Sequence, residues 1–347
     1  MPNKPRATQE DVAKLAGVSQ AMVSYVVNNN PNVKIPEDTR QRILDIMQEL
    51  SYKPNTLARG LRSGKTRTIG LVVPDNSNPF FAEFARIIEN YGFENGYSLI
   101  LCNSDYDTQK ENTYVDVMLA KQIDGIIFIS SGVGGEVLTK LDESQTPHVI
   151  VGRAISGNTT DTVMIDYQLG GYLATRHLLD LGHRKIACIT GPDQFSSSSQ
   201  RLDGYFQALN EAGIPVDKDL VIPSDFRIRG GEEAMTHLLE LDPRPTAVFV
   251  CNDLMAIGVI QSARRHGIKI PDVFSVVGFD DIPLAQTIYP ALTTIAQPIT
   301  EIAMIAMDML IKQVQGKPDE HEDKKFDQIF LHPKLIVRES TAKCGVS

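Results

Sequence analysis

The sequence predicts an α/β protein with a small helical head at the N-terminus and a larger body of doubly wound parallel sheets. Two observations support this prediction. Residues 8–29 have the pattern of a helix-turn-helix, and a third amphipathic helix follows them. From Thr68 onward, short apolar runs alternate with amphipathic helical stretches as far as about residue 315.

The spacing of residues predicts the first helix and its turn. Val12, Leu15 and Ala16 recur at helical spacing and indicate one apolar side. Gly17 follows where a left-handed turn residue is needed, because glycine adopts positive φ without strain. Ser19 is then placed to cap a second helix.

The second helix is predicted to bury Val23, Val26 and Val27, which leaves its polar residues outside. Such a helix can lie in the major groove of DNA, where Gln pairs with adenine and Ala contacts the thymine methyl. The residues expected to contact bases are Gln20, Ala21 and Tyr25. Those expected to contact phosphates are Thr8, Ser19, Ser24, Asn28 and Asn29. A generic helical hairpin with a solvated face is the alternative.

A third helix and the charge distribution support a DNA-binding head. Pro36 and Glu37 open this helix, and three short helices around one core are typical of such heads. Its predicted inner face consists of Ile43, Ile46, Met47 and Leu50. Residues 1–67 carry a net charge of +5, whereas the whole chain carries −9 and the remainder therefore −14. This asymmetry favours a localised phosphate-binding surface over a protein that coats nucleic acid.

The body shows continuous apolar runs bounded by Gly, Pro or Asp, which are typical of strands buried on both faces of a parallel sheet. The predicted strands are Ile69–Val73, Leu99–Cys102, Ile126–Ile129, His148–Val151, Ile186–Thr190, Ala247–Cys251 and Ser275–Phe279. The predicted helices cover roughly 80–95, 110–121, 168–181, 199–212, 231–240, 253–266 and 299–315.

Composition argues against several other classes of protein. The four cysteines are far apart and form no CxxC pair, so we expect reduced thiols in a cytoplasmic protein and no metal or cofactor. The N-terminus is polar, and no apolar run approaches the ~18 residues of a membrane-spanning helix. The chain contains no GxGxxG, Walker lysine loop, HExxH or GxSxG motif. We therefore expect a protein that is not an enzyme.

The segment from Tyr52 to Thr66, YKPNTLARGLRSGKT, resembles the linker of the lactose-repressor (LacI/GalR) family, and the resemblance extends from about Thr8 to about Ser340. Members of that family are mostly dimeric bacterial transcription regulators controlled by a small ligand. The domains that the resemblance implies are a head at 1–54, a hinge helix and linker at 55–67, a ligand-binding and dimerisation body at 68–340, and a tail at 341–347.

The resemblance also implies that the body folds like periplasmic sugar-binding proteins, with two lobes joined by three crossings. Lobe 1 would take about 68–166 and 298–325, and lobe 2 about 167–297 and 326–340. The ligand would lie between them at the carboxyl ends of both sheets.

The hinge segment begins at Asn55, which can cap a short helix with Ala58 and Leu61 on one side. Eight residues alone do not hold a helix in water, so a plain linker is the alternative. The resemblance assigns Leu61 as a wedge in the minor groove when two subunits meet on DNA. It assigns minor-groove contacts to Ala58 and Arg62 as well.

Several residues of the body suit a polar ligand that carries a ring. Phe80 and Phe81 could stack on it, although packing in the core is the alternative. Polar groups follow predicted strands at Arg153, Asn252 and Asp280, whose donors and acceptors suit polyols. Further ligand contacts implied by the resemblance are Ser197, Arg201, Phe226 and Gln297. Many sugar-binding relatives have Asp at the position of Gly152, so the exact sugar stays open.

Together these features predict a repressor that binds a roughly palindromic operator as a homodimer and responds to a small polar ligand, a sugar or sugar derivative. The ligand could release DNA or favour its binding, depending on which state it prefers. One alternative is a catabolite-control regulator with a phosphorylated carrier protein as coactivator. Another is a transporter's solute-binding protein, which would need a signal peptide and no head.

Overall fold

A computed structural model of the chain describes residues 7–28, 32–53, 65–129, 135–152, 160–193, 195–316 and 326–345. The chain divides into two compact units, Met1–Thr66 and Arg67–Ser347, which are called the head and the body. Across the described residues, every helix is too short or too polar to cross a membrane.

The described residues of the head form three helices: α1 (Gln9–Ala16), α2 (Gln20–Val27) and α3 (Glu37–Glu49). Its small core is centred on Val12, Val23 and Ile43, all fully buried. The prediction for Leu15 is wrong, because this side chain is 60% exposed and Ala13 is buried instead. The two residues lie on opposite flanks of the stripe that Val12 marks, and the packing of α2 and α3 decides which flank is covered.

The described residues of the body form two sheets of six strands, which define lobe 1 and lobe 2. Lobe 1 has the order β11-β5-β4-β3-β1-β2, and all its pairings are parallel. Its strands are β1 (Thr68–Val73), β2 (Ser98–Asn103), β3 (Gly125–Ile129), β4 (His148–Val151), β5 (Asp161–Ile165) and β11 (Gln328–Leu331).

Lobe 2 has the order β12-β10-β9-β8-β6-β7, and only the pairing of β12 with β10 is antiparallel among the described residues. Its strands are β6 (Ile186–Thr190), β7 (Val221–Pro223), β8 (Ala247–Val250), β9 (Ser275–Asp280), β10 (Thr293–Ala296) and β12 (Lys334–Ile336).

Helices cover the sheets, as expected for strands buried on both faces. They are α4 (Pro79–Glu94), α5 (Thr108–Ala120), α6 (Gly135–Glu143), α7 (Tyr167–Asp180), α8 (Ser196–Glu211), α9 (Ile228–Glu240), α10 (Asp253–Arg265) and α11 (Ile299–Gln315). The predicted α/β class with two doubly wound sheets is confirmed.

One predicted lobe boundary is wrong. Residues 326–340 were expected in lobe 2, but β11 pairs in parallel with β5 of lobe 1, and only β12 joins lobe 2. The backbone N–H of Asp327 donates to Asp161 Oδ1 over 2.8 Å, which fixes the start of β11 beside β5. The chain therefore crosses between the lobes after β5, after β10 and after β11.

Candidate functional site

The first turn of α1 is closed by a reciprocal cap. The N–H of Asp11 donates to Thr8 Oγ1 over 3.2 Å, while the N–H and hydroxyl of Thr8 donate to Asp11 Oδ2 over 2.8 and 2.7 Å. These hydrogen bonds from Thr8 lower the pKa of Asp11. The Thr8 hydroxyl thus has an acceptor within the chain, whereas we expected it to donate to phosphate.

The turn between α1 and α2 follows its local chemistry. Gly17 has φ 64°, the left-handed conformation expected there. The Ser19 hydroxyl accepts from the N–H of Met22 over 3.2 Å and caps α2. These two residues fix the direction in which α2 leaves the turn.

The outer face of α2 is uncharged and polar. Gln20, Ala21 and Tyr25 are exposed, and Ser24 is half-buried. The Asn28 amide donates to the carbonyl and hydroxyl of Ser24 over 2.8 and 3.2 Å, so these two residues hold one another. Because α2 carries no acidic side chain, the partial positive charge at its N-terminus is not offset and suits a phosphate.

Six of the predicted site residues lie outside the described part of the chain. They are Asn29, Asn55, Ala58, Leu61 and Arg62 for DNA, and Arg153 for the ligand.

A cavity of about 650 Å³, counting its open mouth, lies between the two lobes at the carboxyl ends of their strands. The structure brings eight of the nine predicted ligand residues together around it. These are Phe80, Phe81, Ser197, Arg201, Phe226, Asn252, Asp280 and Gln297. The cavity is also lined by Tyr106, Tyr167 and Phe195, which the sequence did not predict. They follow β2, β5 and β6 by two to five residues, but no spacing pattern marks them, and only their proximity in the fold identifies them.

Arg201 of α8 forms the charged centre of the cavity. It is 5% exposed, and its guanidinium carbon lies 3.9 Å from the ring centroid of Phe279 and 4.8 Å from that of Tyr167. One amino group donates to the carbonyl of Cys251, and the other lies 3.7 Å from Asp280 Oδ1. Two aromatic faces and a carboxylate therefore fix the guanidinium in place.

Asp280, at the end of β9, is contacted at the same oxygen by a second residue. Gln297 Nε2 donates to Asp280 Oδ1 over 2.7 Å. Burial raises the pKa of Asp280 to about 6, although Arg201 and Gln297 act in the opposite direction. Arg201 Nε and Gln297 Oε1 are buried without hydrogen-bond partners among the described residues. This unpartnered donor and unpartnered acceptor on residues of one cavity suit a ligand hydroxyl, which can accept and donate.

Asn252, which lines the cavity, also has partners within the chain. Its Oδ1 accepts from the N–H of Met255 over 2.9 Å and caps α10, while its Nδ2 donates to the carbonyl of Phe226 over 2.8 Å. Phe226 has φ 64°, a strained conformation for a non-glycine residue. Asn252 therefore positions the Phe226 backbone at the cavity wall.

The raised pKa of Asp280 predicts a pH dependence of stability. The folded state binds more protons than the unfolded chain between the ordinary pKa of 3.8 and about 6. The stabilisation due to Asp280 is therefore complete below the lower value and lost as pH rises through the upper one. Relative to Asp280→Asn, which does not titrate, the wild type should lose roughly 3 kcal/mol across this range.

Urea unfolding of both proteins from about pH 4 to pH 7 measures this difference. The exposed Asp203→Asn on α8 serves as the control. Parallel stability curves for the wild type and Asp280→Asn would contradict the prediction.

Comparisons with known proteins cover both units. The profile of bacterial regulatory proteins of the lacI family matches residues 8–55, and that of periplasmic binding proteins and the sugar binding domain of the LacI family matches residues 66–334. The chain is 40% identical over 340 residues to the HTH-type transcriptional regulator DegA of Bacillus subtilis (strain 168), covering 97% of this chain and 98% of that protein.

Two further relatives agree with these matches. Catabolite control protein A of Priestia megaterium is 42% identical over 303 residues, which cover 87% of this chain and 91% of that protein. The lac repressor dimer bound to operator and the anti-inducer ONPF superposes with a TM-score of 0.84 at 25% identity, covering 98% of this chain and all of that one. The chain therefore belongs to the LacI family of bacterial regulatory proteins and is a DNA-binding transcription regulator.

Proposed function

We propose that this regulator binds a roughly palindromic operator as a homodimer, and that a sugar or sugar derivative in the cavity between its lobes controls operator affinity. The observation that carries the ligand part is the cavity itself. Its unpartnered Arg201 donor and Gln297 acceptor are complementary to hydroxyl groups. The matched family profile includes the sugar binding domain of LacI proteins, which supports the same ligand class.

The head supplies the contact with DNA. The exposed face of α2 enters a major groove, where Gln20, Ala21 and Tyr25 read base edges. A two-fold dimer presents two such helices, which requires two half-sites of opposite direction. The lac repressor structure is itself a dimer on its operator, and this supports the assembly. Leu61 acts as the wedge in the minor groove between the half-sites.

Ligand control requires unequal affinity for two arrangements of the lobes, because a ligand shifts an equilibrium only by its differential affinity. Arg201, Phe226 and Asp280 belong to lobe 2, whereas Phe80 and Phe81 belong to lobe 1, so a ligand that contacts both sets favours closure.

The chain acts in the cytoplasm and has no catalytic activity. Its relatives named above are regulators.

The similarity to catabolite control protein A favours a second candidate, in which a phosphorylated carrier protein serves as the coactivator. Pull-down with the phosphorylated and unphosphorylated carrier separates the two. Retention of the phosphorylated form alone would support this candidate, whereas retention of neither would leave direct control by sugar.

The test of the main proposal is selection of bound duplexes from random DNA, repeated with a panel of sugars. We expect two inverted half-sites, with an affinity that changes when one sugar is present. If the full-length protein preferred no duplex over bulk competitor at moderate ionic strength, with or without sugars, the proposal would be wrong.

Replacement of Gln20 by alanine tests the orientation of α2. A lost bidentate base contact costs about 1–3 kcal/mol in specific binding, while non-specific binding stays unchanged. Titration of the selected duplex and of a scrambled one by fluorescence anisotropy measures both affinities. The control is Gln48→Ala on the exposed part of α3. Equal losses for the two duplexes would show that Gln20 does not read sequence.

A further inference from the structure

We propose that Tyr106 is a further residue of the ligand site, and that its ring clamps the two lobes together at the wall of the cavity. The inference rests on the proposed control of the lobes by a ligand. It gives the loop between β2 and α5 of lobe 1 a role in controlling how readily the cavity opens and which ligands it admits.

The clamp consists of three aromatic rings that meet across the lobes. Tyr106 lies between β2 and α5 of lobe 1, whereas Phe195 and Phe226 belong to lobe 2. The Tyr106 ring centroid is 5.0 Å from that of Phe195 and 6.0 Å from that of Phe226, and the two phenylalanine rings are 6.4 Å apart. All three line the cavity, so the lobes cannot separate there without breaking the contacts of Tyr106.

The backbone that carries Tyr106 is strained and braced. Asp105 and Tyr106 have φ 52° and 61°, two successive non-glycine residues in the left-handed region. Such strain persists only where surrounding contacts hold it, and it is found at ligand clamps. Here Asn103 Nδ2 donates to Asp105 Oδ1 over 2.6 Å, and Lys110 forms an ion pair with the same carboxylate. These contacts within lobe 1 therefore hold the backbone segment that carries the Tyr106 ring.

Contacts within lobe 2 hold Phe226, its part of the clamp, in a similar way. The strained backbone of Phe226 is held by Asn252, and its ring lies against Gly191, where a Cβ atom would stand 1.9 Å from the ring. The pKa of Asp105 is lowered by Lys110 first, and the positive charge of Arg227 in lobe 2 contributes as well. Electrostatic attraction between Asp105 and Arg227 therefore acts between the same two lobes that the aromatic rings join.

This geometry predicts what loss of the ring does. Two aromatic pairs join the lobes through Tyr106, and their removal shifts the ratio of open to closed molecules by roughly tenfold. Tyr106→Phe keeps the ring and should keep the clamp. The ring also limits the space for a ligand at that wall, so its removal should admit bulkier ligands.

The first experiment uses the full-length chain, which contains no tryptophan. Tyr106→Trp places the sole indole in the clamp, and Tyr289→Trp places one at a side chain that is 87% exposed. Acrylamide quenching of the ligand-free proteins should be several times weaker for Tyr106→Trp. Equal quenching would overturn the proposal, because the ring would then be outside the clamp in solution.

The second experiment measures lobe separation by small-angle X-ray scattering of the full-length protein. Tyr106→Ala should have a larger radius of gyration than the wild type, while Tyr106→Phe should match it. Tyr114→Ala, on α5 and outside the cavity lining, is the control for loss of a tyrosine ring in lobe 1. A Tyr106→Ala protein that is folded by circular dichroism and no larger than the control would contradict the clamp. Tyr106→Leu replaces it if the alanine variant unfolds.

The two proposals fail in different ways. Failure of the proposed function is seen as absence of operator preference in the wild-type protein. Failure of the clamp is seen in the quenching and scattering data, which need neither DNA nor ligand.

Discussion

Replacing Arg201 by alanine should destabilise the body by about 3–5 kcal/mol, since removal of one partner strands the other charge of a buried pair. The side chains of Arg201 and Asp280 are 7% and 6% exposed, so water cannot compensate either charge. The substitution also leaves the carbonyl of Cys251 without this donor and opens a space between Tyr167 and Phe279. The urea unfolding transition of the body at neutral pH measures the loss.

Two further variants identify the cause of that loss. Arg229→Ala removes an arginine whose side chain is 84% exposed in its pair with Glu233, and should change stability by less than about 1 kcal/mol. Combining Arg201→Ala with Asp280→Asn removes the stranded carboxylate and should recover part of the stability. If Arg201→Ala lowered the free energy of unfolding as little as Arg229→Ala does, the buried pair would not be needed for stability.

Replacing Gly171 by alanine should cost about 3 kcal/mol or more, at the upper end of what overpacking does. A Cβ atom at Gly171 of α7 would lie 2.0 Å from the backbone carbonyl oxygen of Arg201 in α8. Because a backbone atom cannot rotate away as a side chain does, the helices must move apart. This displacement moves the residue at the centre of the cavity, so the response to the ligand should weaken along with stability.

The control for this substitution is Gly92→Ala in α4. There the nearest atom, Ile69 Cδ1, would lie 3.6 Å from the new methyl group, an ordinary contact. Because glycine is unfavourable within a helix, the control should be neutral or stabilised by about 0.5–1 kcal/mol. Thermal melts of both variants measure the difference. Equal melting temperatures would mean that α7 and α8 do not approach as closely as the structure indicates.

Local chemistry made much of the head predictable. Gly17 and Ser19 act through their own backbone and the next few residues, and both have the predicted conformation and cap. Leu15 was predicted wrongly, because helical spacing defines a stripe but not which flank of the stripe another helix covers. The shared core of the three helices decided that point.

In the body, too, local patterns predicted some strands, whereas tertiary contacts decided the position of others. Long apolar runs such as Ile186–Thr190 identify strands buried on both faces. By contrast, β7, β10 and β11 are short and lie towards the edges of their sheets, so they leave little apolar signal. The placement of β11 beside β5 depends on contacts such as that of Asp327 with Asp161, which are far apart in the chain.

The sequence by itself determined the three helices of the head, the strands with long apolar runs, the uncharged outer face of α2, and the polar residues that end the strands of the cavity. These features depend on neighbouring residues or on the period of a helix or strand. Only the tertiary structure decided that Asn252 braces Phe226 and that Tyr106 meets Phe195. The physical reason is that such contacts join loops from different strands, whose proximity follows from how the sheets and lobes pack and not from any local pattern.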